Sequence, residues 1–266
     1  MNDTPTMRLA DSSSAHLLKE LLALCRQADA AILRHYEAGA QAQSKADGSP
    51  VTVADTDSEA IILAGLKRLT PDIPIVSEER AAEGDRPDIS GGRFWLVDPL
   101  DGTREFINRN GEFTVNIGLI EAGRPVLGVI SAPALSVAYL GRFGDGAWRV
   151  EGDGEPRPIA ARRVPAEGLT VVASRSHGDR EALTAYLGDT PVASERPAGS
   201  SLKFCLVASG EADLYPRFGR TMEWDTAAGE AILRAAGGSI EAVTGGPLIY
   251  GKPSQDNPHF IAFGRR

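Results

Sequence analysis

Four stretches of this 266-residue chain set carboxylates just beyond an apolar run or ahead of a helical pattern. They are Ser77-Glu78-Glu79, Asp98-Pro99-Leu100-Asp101-Gly102-Thr103, Asp55 after Val51-Thr52-Val53-Ala54, and Trp224-Asp225. Taken singly, each has an ordinary explanation. Asp-Pro and Asp-Gly form turns, an Asp before a helix caps it, and Glu78-Glu79 reads as a solvated pair. Taken together they suggest more. Asp98 and Asp101 lie three residues apart in a turn constrained by Pro and Gly, which can aim both side chains and the Leu100 carbonyl into one space. Hard divalent cations want such oxygens, and Mg²⁺ takes six at about 2.0–2.1 Å while keeping several waters. Converging carboxylates repel unless a cation neutralises them. A donor set of oxygens alone favours Mg²⁺ or Mn²⁺ over Zn²⁺.

A second constellation lies in the C-terminal half. Ser174-Arg175-Ser176-His177 follows an apolar run, Gly199-Ser200-Ser201-Leu202-Lys203 opens a helical pattern, and Leu214-Tyr215-Pro216-Arg217 comes next. At a helix N-terminus, Gly199, Ser200 and Ser201 would turn free N–H groups toward an anion. Lys203, one turn in, would add a point charge, and Arg217 a planar fork. The plainer readings are a helix cap, a solvated lysine and an idle loop histidine. No Gly-rich P-loop and no G-x-G-x-x-G turn after a strand is present.

The elements that must position these groups are set by periodicity. Residues 1–11 are polar, and Ser12 to Ser14 can cap a first helix. Leu17, Leu21, Leu24, Ala28, Ala31 and Ile32 then recur at helical steps that Gly39 would end. A second helix is expected over 57–69, stopped by Thr70-Pro71. Short strands are expected at 73–76, 94–97, 113–120, 126–130, 137–140 and 147–150, with hairpins through Glu121-Ala122-Gly123-Arg124-Pro125 and Gly144-Asp145-Gly146. In the second half, strands at 169–173 and 212–215 alternate with helices at 179–187, 200–209 and 226–236. The Gly-, Pro- and Glu-rich stretch 151–168 suggests a boundary. It would separate an N-terminal α+β metal-binding subdomain (1–155) from a C-terminal α/β substrate-binding subdomain (156–266). Successive blocks of helices and sheets imply layers.

Lys plus Arg total 28 and Asp plus Glu 36, a net charge of −8, which argues against a general binder of polymeric nucleic acid. Two cysteines, Cys25 and Cys205, make no disulfide scaffold and read as buried, reduced thiols. The apolar stretch 17–25 is broken by Lys19 and Glu20, short of the ~20 apolar residues of a spanning helix. A soluble, cytoplasmic protein is expected.

The motifs Ser77-Glu78-Glu79, Trp95-Leu96-Val97-Asp98-Pro99-Leu100-Asp101-Gly102-Thr103 and Trp224-Asp225-Thr226-Ala227-Ala228-Gly229 resemble those of the lithium-sensitive, Mg²⁺-dependent phosphomonoesterases typified by inositol monophosphatase. The resemblance runs from about residue 15 to 263. It implies a layered αβαβα sandwich of the α+β class. It also implies that Glu78, Asp98, Asp101, Asp225 and the Leu100 carbonyl hold two or three Mg²⁺ ions, with Mn²⁺ an alternative. Thr103 and Asp55 would orient the attacking water beside Asp101. Gly102 and Thr103 would meet phosphate oxygens, with Glu78, Leu100 and Asp225 also bordering the substrate. Asp225, on a separate segment, suits a second ion near the leaving oxygen.

The C-terminal segments are similar to those of the 3′(2′),5′-bisphosphate nucleotidase branch. That similarity implies release of the 3′-phosphate of adenosine 3′,5′-bisphosphate, giving AMP, in sulfur assimilation. Ser174, His177, Gly199 and Lys203 would contact the nucleotide. Arg217 stands where inositol monophosphatases carry an acidic residue for inositol hydroxyls, and a cation there suits a second phosphate. An inositol-1-monophosphatase or related sugar phosphatase has the same metal chemistry, and a non-catalytic nucleotide-binding protein could share the fold. The resemblance implies a small-molecule nucleotide substrate and a monomer or homodimer. It leaves peripheral association with the inner membrane face open.

Overall fold

The computed structural model describes residues 13–39, 42–45, 48–174 and 180–266. The polar lead-in, parts of the Lys45-to-Pro50 turn, and His177 with its neighbours lie outside the described residues.

Helix α1 (Ser13–Ala38) buries Leu18, Leu21, Leu24, Cys25, Ala28 and Ile32, and Gly39 follows it at φ +75°. A two-residue ladder, β1 (Gln43–Ser44) and β2 (Pro50–Val51), leads into α2 (Val53–Leu69). This helix starts four residues before the position expected, because Thr52 and Asp55 close a capping box. The Thr52 hydroxyl accepts from the Ala54 N–H at 3.1 Å, and Asp55 Oδ2 accepts the Thr52 N–H at 2.7 Å. Next come β3 (Ile75–Ser77), α3 (Glu78–Ala82), β4 (Arg93–Asp101), α4 (Thr103–Ile107), β5 (Thr114–Glu121), β6 (Arg124–Ala132), β7 (Val137–Arg142), β8 (Gly146–Glu151) and β9 (Arg157–Ile159). The remainder is β10 (Leu169–Ala173), α5 (Arg180–Leu187), β11 (Val192–Pro197), α6 (Leu202–Ala208), β12 (Leu214–Arg217), α7 (Glu223–Ala235), β13 (Ser239–Ala242) and β14 (Phe260–Phe263).

Strands β3 to β9 form one seven-stranded sheet in chain order, antiparallel except for the β3–β4 pair. The second sheet has the order β11-β10-β12-β14-β13. Alternation along β4 divides the core. Trp95 and Val97 pack under α1 and α2, while Phe94 and Leu96 face α6 and α7 between the sheets. On the outer face of the smaller sheet, Leu183 and Leu187 of α5 cover Val171, Leu214 and Ile261. The result is the five-layer αβαβα arrangement the sequence implies. Strand β9 belongs to the larger sheet, so the sheets divide the chain between Ile159 and Leu169. Among the described residues, no helix is long and apolar enough to cross a membrane.

A glycine stripe sets how closely α7 approaches the larger sheet. Gly118, Gly128 and Gly141 are paired in register across β5, β6 and β7. A Cβ on Gly128 would lie 2.4 Å from the Ala228 carbonyl oxygen, and one on Gly141 would lie 2.6 Å from Ile232 Cα. On the other side of α7, a Cβ on Gly229 would stand 2.3 Å from the Phe204 ring. Close packing on both faces fixes the axis of the helix that carries Asp225. Gly128→Ala is therefore expected to cost about 1–3 kcal/mol in urea unfolding. Gly91→Ala, with nothing within 4 Å, should stay within about 0.5 kcal/mol. Equal midpoints for the two variants would count against the tight contact.

Candidate active site

The ends of β3 and β4, the starts of α6 and α7, and the strand β12 surround a cavity of about 570 Å³. Its lining includes Glu78, Asp98, Leu100, Asp101, Gly102, Thr103, Ser174, Lys203, Arg217 and Asp225. The chain thus brings most of the expected residues together. Asp98 and Asp101 sit in β4 itself rather than in a turn beyond it. Asp98 pairs with Asn116 and Asp101 with Thr114 of β5, a bulge separates the two pairs, and Gly102 then turns the chain at φ +90°.

Each carboxylate is tethered by one oxygen. Asp98 Oδ1 accepts the Leu100 N–H at 3.0 Å, Asp101 Oδ2 the Ser201 N–H at 2.6 Å, and Asp225 Oδ2 the Met222 N–H at 2.9 Å. Their other oxygens have no hydrogen bond among the described residues. Burial pushes the Asp98 carboxyl well up, and the charges of Glu78, Asp101 and Asp225 push it further. Burial likewise raises Asp225, reinforced by Asp101 and Glu78. Asp101 rises to about 6, again chiefly through burial, although Lys203 opposes the shift. Partly desolvated carboxylates that raise one another, with oxygens to spare and no soft donor nearby, fit a hard divalent cation.

The acidic groups do not form a ready-made coordination sphere: among the described residues, no three of them do so. The Lys45 ammonium lies 2.7 Å from Glu78 Oε1 and 2.7 Å from Glu79 Oε1, supplying compensating charge. Burial alone would depress the Lys45 pKa, but the two glutamates hold it above the ordinary lysine value. Beside the metal-type carboxylates, the Thr103 hydroxyl donates to Asp55 Oδ1 at 3.1 Å. Asp55 is buried, and burial raises its carboxyl pKa.

One expectation and one of the plainer readings need correction. The turn at Gly199 does not offer the N–H groups of Gly199 and Ser201 to an anion. The Gly199 N–H donates to Glu112 Oε2 at 2.8 Å, the Ser201 N–H is held by Asp101, and α6 has only seven residues. Lys203 is not solvated either. It is 3% exposed, its ammonium donates to the Ser200 and Ala198 carbonyls at 2.6 and 3.2 Å, and burial lowers its pKa to about 8. It serves as an interior cation near Asp101. The Ser200 hydroxyl, on a residue at φ +44°, is buried against the cavity with no hydrogen-bond partner among the described residues, a position that the helix-cap reading concealed. His177 falls outside the described residues.

Sequence reasoning also missed what holds α7. Glu223 is fully buried, and its carboxylate accepts the Gly251 N–H at 2.7 Å, the Lys252 N–H at 3.0 Å and the Lys252 ammonium at 2.5 Å. Asn257 adds a bond to the Met222 carbonyl at 2.7 Å. The strap 251–257 thereby clamps the first turn of the helix bearing Asp225. Its partners lie about thirty residues away in sequence, where no local pattern marks them.

A profile of the inositol monophosphatase family matches residues 14–259. The chain belongs to the inositol monophosphatase family. It is 49% identical over 237 residues, 88% of this chain and 94% of the relative, to the 3′(2′),5′-bisphosphate nucleotidase CysQ of Escherichia coli O157:H7. It superposes on CysQ from Bacteroides thetaiotaomicron with a TM-score of 0.80 and 37% identity, over 97% of this chain and 100% of that one. Inositol monophosphatase from Anabaena (Nostoc) sp. PCC 7120 gives 0.74 and 27%, over 95% and 92%. Inositol monophosphatase family enzymes are metal-dependent, generally on Mg²⁺, in keeping with the donor chemistry above.

This electrostatic arrangement has two measurable consequences. An acid with a raised folded pKa favours the folded state only while protonated. The contribution of Asp101 is present below about 3.8 and is lost as pH rises through about 6. In metal-free buffer, Asp101→Asn should melt at a temperature similar to wild type near pH 4 and at least about 3 °C higher at pH 7. A variant that melts lower at pH 7 would contradict the repulsion. Glu223→Ala should weaken Mg²⁺ binding, read by calorimetry, about tenfold or more, with Glu223→Gln closer to wild type. Unchanged affinity in folded Glu223→Ala would detach the strap from Asp225.

Proposed function

We propose that this chain is a Mg²⁺-dependent 3′(2′),5′-bisphosphate nucleotidase that removes the 3′-phosphate of adenosine 3′,5′-bisphosphate, yielding AMP and phosphate in sulfur assimilation. The observation that carries the reading is one cavity lined both by the carboxylates Glu78, Asp98, Asp101 and Asp225 and by the cations Lys203 and Arg217, with the Thr103–Asp55 pair at its edge. The 3′(2′),5′-bisphosphate nucleotidases among its relatives support the substrate class.

In this reading Glu78, Asp98, Asp101, Asp225 and the Leu100 carbonyl hold two or three divalent ions. Such ions neutralise the phosphate dianion and make water a better nucleophile. The protein's own groups do the positioning. Asp55 accepts the Thr103 hydroxyl proton in a hydrogen bond, which leaves the Thr103 oxygen lone pairs to orient the attacking water. Gly102, in its left-handed conformation, brings backbone close to the phosphate without a Cβ in the way. The region through 155 supplies most metal ligands, and the region beyond it supplies Asp225 and the nucleotide contacts Ser174, His177, Lys203 and Arg217. Gly199 contributes by shaping the turn. A Cβ there would lie 2.7 Å from the Glu112 carbonyl oxygen.

Phosphate release measured across adenosine 3′,5′-bisphosphate, inositol 1-phosphate and fructose bisphosphate tests the reading. The nucleotide should be fastest, only with Mg²⁺, and lithium should inhibit. Equal or faster turnover of inositol 1-phosphate would replace the assignment with a sugar phosphatase. Thr103→Ala should lower kcat about 10²–10⁴-fold with little change in the Mg²⁺ requirement. A large rise in that requirement would make Thr103 structural.

A further inference from the structure

Strands β3 and β4 run parallel, and their pairing ends at Ser77 and Val97. Glu78 and Asp98 are the next residues along each segment, so that ladder does not fix the spacing between them. Helix α2 takes over where the ladder stops. Two adjacent residues of α2, Ser58 and Glu59, each reach one of the two segments. The Ser58 hydroxyl, fully buried, donates to the Pro99 carbonyl at 2.8 Å. Glu59, 8% exposed, accepts through Oε1 the Glu79 N–H at 3.2 Å and the Arg80 N–H at 3.3 Å.

Neither segment supplies these bonds for itself. Pro99 and Leu100 lie in the bulge, without paired residues in β5. Ser58 takes the Pro99 carbonyl, and Asp98 Oδ1 takes the Leu100 N–H. These two groups belong to one rigid peptide plane, so holding both ends stops it from rotating. That plane carries the Asp98 carboxylate on its N–H and leads directly into the Leu100 carbonyl. At α3, Ser77 occupies the cap position but makes no side-chain cap bond. Glu59 caps α3 from another helix instead, and the Glu79 N–H that it holds shares a peptide plane with the Glu78 carbonyl.

We infer that Ser58 and Glu59 are positioning residues that set the distance between Glu78 and the Asp98–Leu100 donors, and so tune the site to a small cation. The inference rests on the reading that these groups hold divalent ions. Mg²⁺ demands near-ideal octahedral geometry at about 2.0–2.1 Å, whereas Ca²⁺ accepts about six to eight oxygens at about 2.3–2.6 Å in flexible arrangements. Donors on two segments meet the tighter demand only if the segments cannot drift apart. Neighbouring residues on a packed helix supply that rigidity, since Ile62 and Leu66 of α2 are fully buried. A purely structural role would lower stability and leave the preference between the two cations unchanged.

The test is calorimetric titration of Mg²⁺ and of Ca²⁺ into the full chain, alongside thermal melting. Ser58→Ala and Glu59→Ala should each weaken Mg²⁺ binding about tenfold or more and leave Ca²⁺ binding within about threefold. Glu59→Gln, which keeps an acceptor, should retain the wild-type ratio of affinities. Leu183→Ala, in the separate core beneath α5, should melt at a lower temperature with the ratio unchanged. Where Ser58→Ala does not fold, Glu59→Ala decides. Equal losses for both cations, no loss in the folded variants, or the same shift in Leu183→Ala would overturn the inference while the metal reading stands. A wild type that binds neither cation would overturn both.

Discussion

Mutual repulsion among buried carboxylates is the constraint on which this molecule turns. Asp101 and Asp225 both raise the Asp98 carboxyl pKa, Asp101 also raises Asp225, and burial removes the water that would otherwise screen them. Left alone, such a cluster would protonate or spread. The fold resists both by tying each residue to a different element through a backbone N–H: a β4 bulge for Asp98, the turn before α6 for Asp101, and the cap of α7 for Asp225. Charges held in place but uncompensated are a reservoir of cation affinity, since whatever neutralises them also stabilises the native state. Lys45 is an internal answer to the same demand, and its ammonium can supply only one positive charge.

Holding three elements in register requires packing that the site residues do not provide. Helix α7 runs between the sheets, in contact with the glycine stripe on one side and with Phe204 on the other. Its first turn is clamped by the strap through Glu223 and Asn257. Translation of α7 along its axis would carry Asp225 out of the cavity, and both devices oppose it. In the Glu223–Lys252 pair the carboxylate is fully buried and well satisfied by backbone donors, while the Lys252 side chain stays 29% exposed. That is the condition under which an ion pair with a buried member supports structure rather than weakening it.

What the sequence revealed and concealed divides along physical lines. The layered fold was legible because apolar periodicity reports which face is buried, as along α1 and β4. The chemistry-bearing residues of β4 and α7 were legible because residue type and spacing persist whatever the fold. Strand β11 was not, since all six of its residues are exposed at a sheet edge and carry no hydrophobic pattern. The state of Lys203 was hidden for a related reason. A lysine one turn into a helix looks solvated until tertiary structure closes over it, and the acceptors of its proton are backbone carbonyls that every sequence has. The Gly199 turn misled because free N–H groups are a property of an isolated helix end. Here Glu112 and Asp101, 87 and 100 residues away, occupy two of them.

Asp55 shows how closely stability and chemistry are joined. One of its oxygens closes the capping box of α2 by accepting the Thr52 N–H and hydroxyl, both at 2.7 Å, and the other accepts from Thr103. The residue that starts the helix is also the residue that orients the hydroxyl at the cavity edge. A helix cap is a good mount for such a group because both of its oxygens are committed to fixed directions, so the carboxylate cannot rotate. The same economy recurs in α7, where Asp225 caps its own helix with Oδ2 and also lines the cavity. Two helices thus begin at the candidate site through carboxylates that serve as structural caps and, in the proposed reading, as chemical groups at once. Replacing either one exposes a helix end as well as removing a charge, so the amide variants, which retain an acceptor, separate the two roles better than alanine does.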